Sequence, residues 1–447
     1  MGSMSGAAAS LRRGNRVIQD RMPIRVAIEA DTGLWSLTAP VWSLSPPVVA
    51  GPRVFLPVGG QLAALDRDSG EVLWRGPIHG HDPYTSKPAA VTVTDRHVIV
   101  LAVEIPWREP PQARRAQLTV LETGSGSVLH HRPLNSYYDH VSDGRTLVVR
   151  HMGRGASGCH LLSGYDVASG RTLWRRPFVM HGRLPTAGPV LVVRGEEREV
   201  RAWALRDAAA QVHGFDLRTG RLLWRRDLGD STLLAPWRPD DMQPTLVFVH
   251  SRTDRRLHWL SPATGESVGA QRLRRRLNTP FLRVVDLGET VWFGTWLSHV
   301  RRVRPLAAPQ RPVRHRLWAG GLALDESFAV ADGWLYAVDG AGRLWTGRAD
   351  RDHGGLPRPL PRWILGYGGS EHHGCLTVAG DHVYARLPGR GFGGRLVALR
   401  HGRRLWQRPA PWKRPVPCGR HVLLTDRNSE ADILTLVDGE TGLGASA

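Results

Sequence analysis

Apolar and polar residues alternate along most of the chain in short runs, the pattern of strands half-buried on one face. No sustained period near about 3.6 residues accompanies them, which excludes a helical solenoid. One unit recurs at intervals of roughly 40 to 50 residues, and a fixed period of that size is the mark of a repeat fold. In each unit an apolar strand ends in Asp, a turn containing Gly follows, and a second strand carries Trp. The clearest copies run from Leu62-Ala63-Ala64-Leu65-Asp66 through Ser69-Gly70 to Trp74, from Gly164-Tyr165-Asp166 through Ser169-Gly170 to Trp174, and from Gly214-Phe215-Asp216 through Thr219-Gly220 to Trp224. The Asp-x-x-Ser/Thr-Gly turn supplies side-chain caps and a glycine for positive φ, so each unit predicts a hairpin. Weaker copies keep the phase without Asp or Trp: Leu118–Glu122 to Leu129, Leu257–Leu260 to Val268, and Leu396–Leu399 to Trp406.

Short strands such as Pro47-Val48-Val49-Ala50 and Arg53-Val54-Phe55-Leu56 stand upstream of the hairpins, which makes about four strands per unit. A four-stranded antiparallel sheet cannot bury both faces alone, so neighbouring units must stack, and radial stacking closes a propeller. The predicted fold is therefore all-β, a closed β-propeller of four-stranded blades. Eight blades are expected, with nine as the count if every set of strands forms one. Residues 1–23 are expected to be a disordered tail and 24–447 a single propeller domain. The irregular stretch phases as strands at Phe281–Gly288, Thr290–Leu297, Val300–Leu306 and Val313–Trp318. A second set follows at Ser327–Asp332, Trp334–Val338, Arg343–Ala349 and Pro361–Leu365, with Trp345 in a third strand and Trp363 in a fourth. The last repeat stops after Asp438, Glu440-Thr441-Gly442, just short of its Trp strand, and Gly33-Leu34-Trp35 supplies one. Pairing the two ends in one blade ties down both termini and leaves no open sheet edge in the ring.

Composition changes this picture little. With 41% hydrophobic and 22% charged residues the chain is globular in type, and Gly 50 and Pro 32 fit a fold full of turns. Trp 17 exceeds both Tyr 7 and Phe 8, as repeated use of Trp at equivalent positions requires. The net charge of +20 invites a nucleic-acid reading, since phosphates reward clustered cations. Nearly all of that charge is arginine, because Lys87 and Lys413 are the two lysines, and an arginine excess in an Ala, Gly and Pro-rich chain is the signature of GC-rich bacterial coding. Cys159, Cys375 and Cys418 are widely spaced and signal neither a disulfide framework nor a zinc site. No run approaches the roughly 18 apolar residues of a membrane span, and no apolar signal-peptide core follows Met1. The chain is expected to be cytoplasmic, or exported if Met1-Gly2-Ser3-Met4 is a cloning remnant.

The repeats resemble the tryptophan-docking units of pyrroloquinoline-quinone-dependent dehydrogenases and of their non-catalytic relatives, such as the outer-membrane barrel-assembly lipoprotein and sensor domains of bacterial kinases. The resemblance covers roughly residues 31 to 445 and rests on the Asp, Gly and Trp positions quoted above. It implies that Trp35, Trp74, Trp174, Trp224 and Trp406 pack between adjacent blades, against turns built on Asp66, Asp166 and Asp216 with Gly70, Gly170 and Gly220. The quinone enzymes typically also carry two adjacent cysteines and a calcium site of Glu, Asn and Asp. This chain has no Cys-Cys pair and no convincing cluster of such ligands, so no cofactor is expected.

Several constellations could carry chemistry. Glu371-His372-His373-Gly374-Cys375 offers imidazole and thiolate, yet adjacent strand residues point to opposite faces and no second half-site is visible. His130-His131 and His79-Gly80-His81-Asp82 read as structural for the same reason. No nucleophile elbow, phosphate loop or HExxH is present, and Gly389-Arg390-Gly391-Phe392-Gly393-Gly394 reads as a loop between strands. The most basic region holds Arg272-Leu273-Arg274-Arg275-Arg276, Arg301-Arg302-Val303-Arg304 and Arg311-Pro312-Val313-Arg314-His315-Arg316. Arg302 with Arg304, and Arg314 with Arg316, share a face within each strand and form a candidate anion-binding surface. The expected role is a non-catalytic, monomeric scaffold or ligand-sensing module, with another protein as partner and a polyanion at the basic patch. The insertions Ile105–Gln117 and Leu356–Tyr367 are the expected contacts. The alternative is an enzyme using the propeller funnel as its active site, a lyase or dehydrogenase without a recognisable motif.

Overall fold

The structure, a computed structural model, describes residues 25–444 apart from 30–33, 41–43, 80–85, 105–114, 153–158, 181–183, 197–210, 235–245, 273–282, 287–290, 296–298, 304–312, 317–327, 339–343, 349–374, 388–393, 428–430 and the single positions 136, 185, 188, 252 and 412. Every regular element among the described residues is a strand. Two N-terminal strands, β1 (Arg25–Glu29) and β2 (Leu34–Pro40), are followed by a four-stranded sheet of β3 (Val48–Ala50), β4 (Arg53–Val58), β5 (Gln61–Asp66) and β6 (Val72–Pro77). The next comprises β7 (Ser86–Val93), β8 (His97–Glu104), β9 (Arg115–Glu122) and β10 (Val128–Asn135).

An eight-stranded sheet then carries two successive units. One is β11 (Tyr137–Ser142), β12 (Thr146–Met152), β13 (Cys159–Asp166) and β14 (Thr172–Met180); the other is β15 (Thr186–Ala187), β16 (Val190–Glu196), β17 (Gln211–Asp216) and β18 (Leu222–Arg226). Only Val179 and Met180, opposite Glu196 and Gly195, join them. Next come β19 (Ser231–Leu234), β20 (Val247–Ser251), β21 (Arg256–Leu260) and β22 (Ser267–Arg272), then β23 (Arg283–Asp286), β24 (Val291–Thr295), β25 (His299–Val303) and β26 (Val313–Arg316). A sheet with three described strands, β27 (Phe328–Ala331), β28 (Trp334–Val338) and β29 (Leu344–Arg348), precedes β30 (Cys375–Ala379), β31 (His382–Leu387), β32 (Arg395–Arg400) and β33 (Arg403–Pro409). Finally β34 (Val416–Cys418), β35 (His421–Arg427) and β36 (Ala431–Asp438) return to β2 in the order β1-β2-β36-β35-β34.

These strands make an all-β propeller whose ring closes through the two chain ends. The eight described sheets hold nine repeat units, because the eight-stranded sheet is two blades linked at a corner. Closure runs through Ser36 opposite Thr435 to Pro40 opposite Ala431. The strand β1, a fifth on that blade, is an addition the repeat pattern did not contain. The fourth strand phased at Pro361–Leu365, together with Trp363, lies outside the described residues.

The core lies between sheets, as strand alternation demands. In β35, Leu423 packs toward Val54, Leu56 and Trp35, whereas Val422 and Leu424 pack toward Tyr384, Leu396 and Ala398. One strand thus serves two interfaces. The same arrangement recurs between β8 and the β4–β5 hairpin, where Val98, Val100 and Ala102 meet Phe55, Leu62 and Ala64. In six hairpins the register slips just before the docking position, so Leu73, Leu129, Leu173, Leu223, Val268 and Leu405 each bulge out of the ladder. A bulge re-aims the following side chain, and its own residue is pushed outward, which explains the exposure of Leu73, Leu129, Leu173 and Val268.

Candidate functional site

The recurring turn is built locally. Asp66 Oδ1 accepts from the Ser69 amide at 2.8 Å and its hydroxyl at 2.9 Å, and the Gly70 amide closes the turn on the Asp66 carbonyl at 2.9 Å. Asp166 with Ser169 and Asp216 with Thr219 repeat the geometry. Gly70, Gly170 and Gly220 take φ of 72°, 67° and 66°, which L side chains rarely adopt. Hydrogen bonding to the carboxylate favours its charged form: the Ser69 amide holds Asp66 below its ordinary range, and the Ser169 and Thr219 hydroxyls do the same for Asp166 and Asp216.

Each turn receives a ring from the preceding blade. Trp35 Nε1 donates to the carbonyl of Arg67 at 2.9 Å, Trp74 to Thr123 at 3.1 Å, Trp174 to Leu217 at 2.9 Å, Trp224 to Pro262 at 2.6 Å and Trp406 to Gly439 at 2.8 Å. Every acceptor follows the Asp position of its turn, and the indole lies flat on the turn glycine. A Cβ added at Gly70, Gly126, Gly220, Gly265 or Gly442 would sit 2.3 to 2.7 Å from indole atoms. Trp35 and Trp224 are buried, whereas Trp74, Trp174 and Trp406 are half-buried.

Three docking features were missed in the sequence. His130 fills the tryptophan position of β10, with its Nε2 at 2.7 Å from the Val167 carbonyl and its ring on Gly170. In the β21–β22 hairpin the pair is exchanged: Trp259 stands opposite Gly269, where other repeats place Gly164 opposite Trp174 and Gly214 opposite Trp224. Two residues past the docking position, Arg132 and Arg226 donate to the turn carbonyls of Gly170 and Gly265. The recurring Trp-Arg-Arg of two repeats was the available signal.

A charged network ties three further blades together at the turn end. Arg400 bridges Asp381 (Nε to Oδ2, 2.6 Å) and Glu440, His382 Nδ1 lies 2.8 Å from Asp381, and His401 Nδ1 lies 2.8 Å from Asp332. Elsewhere the fold stacks His79 on His131, with ring centroids 4.3 Å apart, while its neighbour His130 docks on the next blade. Burial and the neighbouring His131 both hold His79 below the ordinary imidazole range, and burial does the same for His140 and His421.

A depressed imidazole pKa means the folded state binds fewer protons than the unfolded chain, so stability is complete above about 6.5 and falls as pH drops below it. The turn aspartates have the same sign, with their loss setting in as pH falls below 3.8. Melting temperature recorded from pH 8 to 3 should therefore decline in two stages. A flat profile from pH 8 to 5 would contradict the first.

The remaining sequence candidates distribute as follows. Cys418 is buried, and burial pushes its thiol up to about 12. Cys375 opens β30, while His372, His373, His81, Asp82 and the Gly389–Gly393 loop lie outside the described residues. Among the described residues no three His, Cys, Asp or Glu side chains form a metal-binding group, and no helix is long and apolar enough to cross a membrane. In the basic region the register sets Arg301 opposite Arg314, Arg302 opposite Val313 and His299 opposite Arg316. Arg301 is thus the cross-strand partner of Arg314, and Arg304 lies outside the described residues. The insertion before Gln117 joins β8 to β9; Leu356–Tyr367 falls outside.

A family profile of the PQQ type, described as outer membrane protein assembly factor BamB, matches residues 3–156 and 158–305. No curated protein matches the chain in sequence. Among solved structures the chain is similar to BamB from Moraxella catarrhalis, at 18% identity over 68% of this chain and 82% of that chain with a TM-score of 0.38. It is also similar to the quinohemoprotein alcohol dehydrogenase of Comamonas testosteroni, at 12% identity over 97% and 78% with a TM-score of 0.49. A third similarity is to apo AztD from Citrobacter koseri, at 11% identity over 78% and 91% with a TM-score of 0.46.

Proposed function

Because the chain belongs to the PQQ-type propeller family whose profile is described as outer membrane protein assembly factor BamB, we propose that it is a protein-binding scaffold. The observation that carries this reading is how the repeat residues are used. The indoles and the turn aspartates and glycines are engaged in holding blades together, so the recurring motif is structural. Binding is then left to segments that vary between blades. In an antiparallel blade the turns between strands one and two and between strands three and four share one end, and the link between strands two and three lies at the other. The short docking turns therefore occupy one end. The strand ends that lead from β8 to β9, from β12 to β13 and from β16 to β17 lie at the opposite end, away from the docking turns.

The partner proposed is another protein with an acidic contact surface, or a polyanion at the basic strands β25 and β26, where Arg301 opposes Arg314. The protein is proposed to act as a cytoplasmic monomer. Replacing 106–113 with a short Gly-Ser linker should abolish capture of the main partner crosslinked in the native cell, leave the melting temperature unchanged, and spare the fold. Capture by the unaltered chain should weaken steeply with salt. An unchanged crosslinking pattern would remove the loop from the interface.

A further inference from the structure

Arginine is the ordinary cation of this chain, since Lys87 and Lys413 are the only lysines among 60 basic residues. Lys413 stands at an unusual place. It lies between β33 and β34, flanked by the buried Pro411 and Pro415, and is half-buried itself. Its Nζ donates to the carbonyl of Leu44, in the link from β2 to β3, so the amine spans the seam where the chain ends meet. The carboxylate that acts on it, Asp432, is already occupied, accepting from Arg427 at 2.5 Å and 3.2 Å and from the Leu44 amide at 3.2 Å. Among the described residues Lys413 makes no ion pair.

An ammonium in this place is partly desolvated and has one neutral acceptor. Two charges face it, Asp432 and Arg427. Burial lowers the Lys413 pKa to about 8, with Asp432 opposing and Arg427 reinforcing the shift. A guanidinium would keep its charge here; an amine can shed it.

We propose that Lys413 is an acylation site of the ring-closing seam, taking its acyl group from an acyl phosphate or a thioester. The neutral Nζ attacks the acyl carbonyl, the N–C bond forms, and the C–O or C–S bond of the donor breaks. The amine proton leaves with the phosphate or thiol. The product amide keeps one N–H for the Leu44 carbonyl and loses the charge that burial penalises. Acylation thereby tightens the contact between the N-terminal link and the last blade.

The full chain is incubated with acetyl phosphate or with acetyl-coenzyme A from pH 6.5 to 10, and acetylation of Lys413 and Lys87 is quantified by peptide mass spectrometry. Near pH 8 an amine of this kind is neutral about a hundred times more often than an ordinary lysine. Lys413 should react roughly tenfold faster than Lys87 with at least one donor, level off above pH 8, and raise the melting temperature when acetylated. The donor that labels it identifies the source. Lys413→Gln should melt higher than the parent at pH 7, with the gap closing by pH 10, because a depressed lysine pKa makes the folded parent gain stability as pH rises. Slower labelling than Lys87 with both donors, or a lower melting temperature on acetylation, would overturn the proposal.

Discussion

Replacing Trp35 with Ala should lower stability by about 3–5 kcal/mol, the range for removing a large aromatic from a packed core. Trp35 is fully buried, packs with Leu37, Leu434 and Leu436 of its own blade and Val54 and Leu56 of the next, and lies on Gly70. The substitution also leaves the Arg67 carbonyl without its 2.9 Å donor, a further loss of about 1 kcal/mol. Because Trp35 stands on β2, the N-terminal strand that pairs with the C-terminal β36, the damage falls on ring closure. Trp174→Ala removes the same kind of contact from a half-buried position and should cost less. Urea unfolding of the two variants checks the order. Equal and negligible shifts would mean that indole docking does not hold the blades together.

Asp432→Ala is the second large effect, about 3–5 kcal/mol, because it removes the buried carboxylate that pairs with the largely buried Arg427 guanidinium. Asp432 is 1% exposed, and it holds both Arg427 and the Leu44 amide. Arg427→Ala should cost about as much, since it leaves the carboxylate without its cation. The pair itself is a different matter. Removing both charges at once, as Asp432→Leu with Arg427→Met, should cost well below the sum of the two single changes, because neither orphaned charge remains. A double-mutant cycle by denaturant unfolding measures this. Additive losses would show that the two side chains act independently at the seam.

What was readable from the sequence was local. Asp66, Ser69 and Gly70 cap one another within five residues, so the turn, its positive φ and the flanking alternation can be recognised wherever the motif recurs. From the recurrence came the four-stranded blade, its radial stacking and the use of Trp35 to complete the last repeat. The strands phased at Phe281–Gly288 through Arg343–Ala349 likewise correspond to β23 through β29.

Tertiary structure decided what depends on a neighbouring blade or on register. Docking requires only a flat ring carrying an N–H at the right rung, so His130 meets the need as Trp174 does, whereas Trp259, opposite Gly269, has its buried Nε1 without an acceptor among the described residues. Which arginine opposes Arg314 follows from the pairing of β25 with β26, and a shift of one residue changes every partner. The stack of His79 on His131 joins two blades that the chain separates by a whole repeat. Lys413 and Leu44 lie 369 residues apart, and only closure of the ring makes one the other's partner. Short-range hydrogen bonds leave a pattern in neighbouring residues, whereas contacts made by stacking and closure constrain positions that share no local signal.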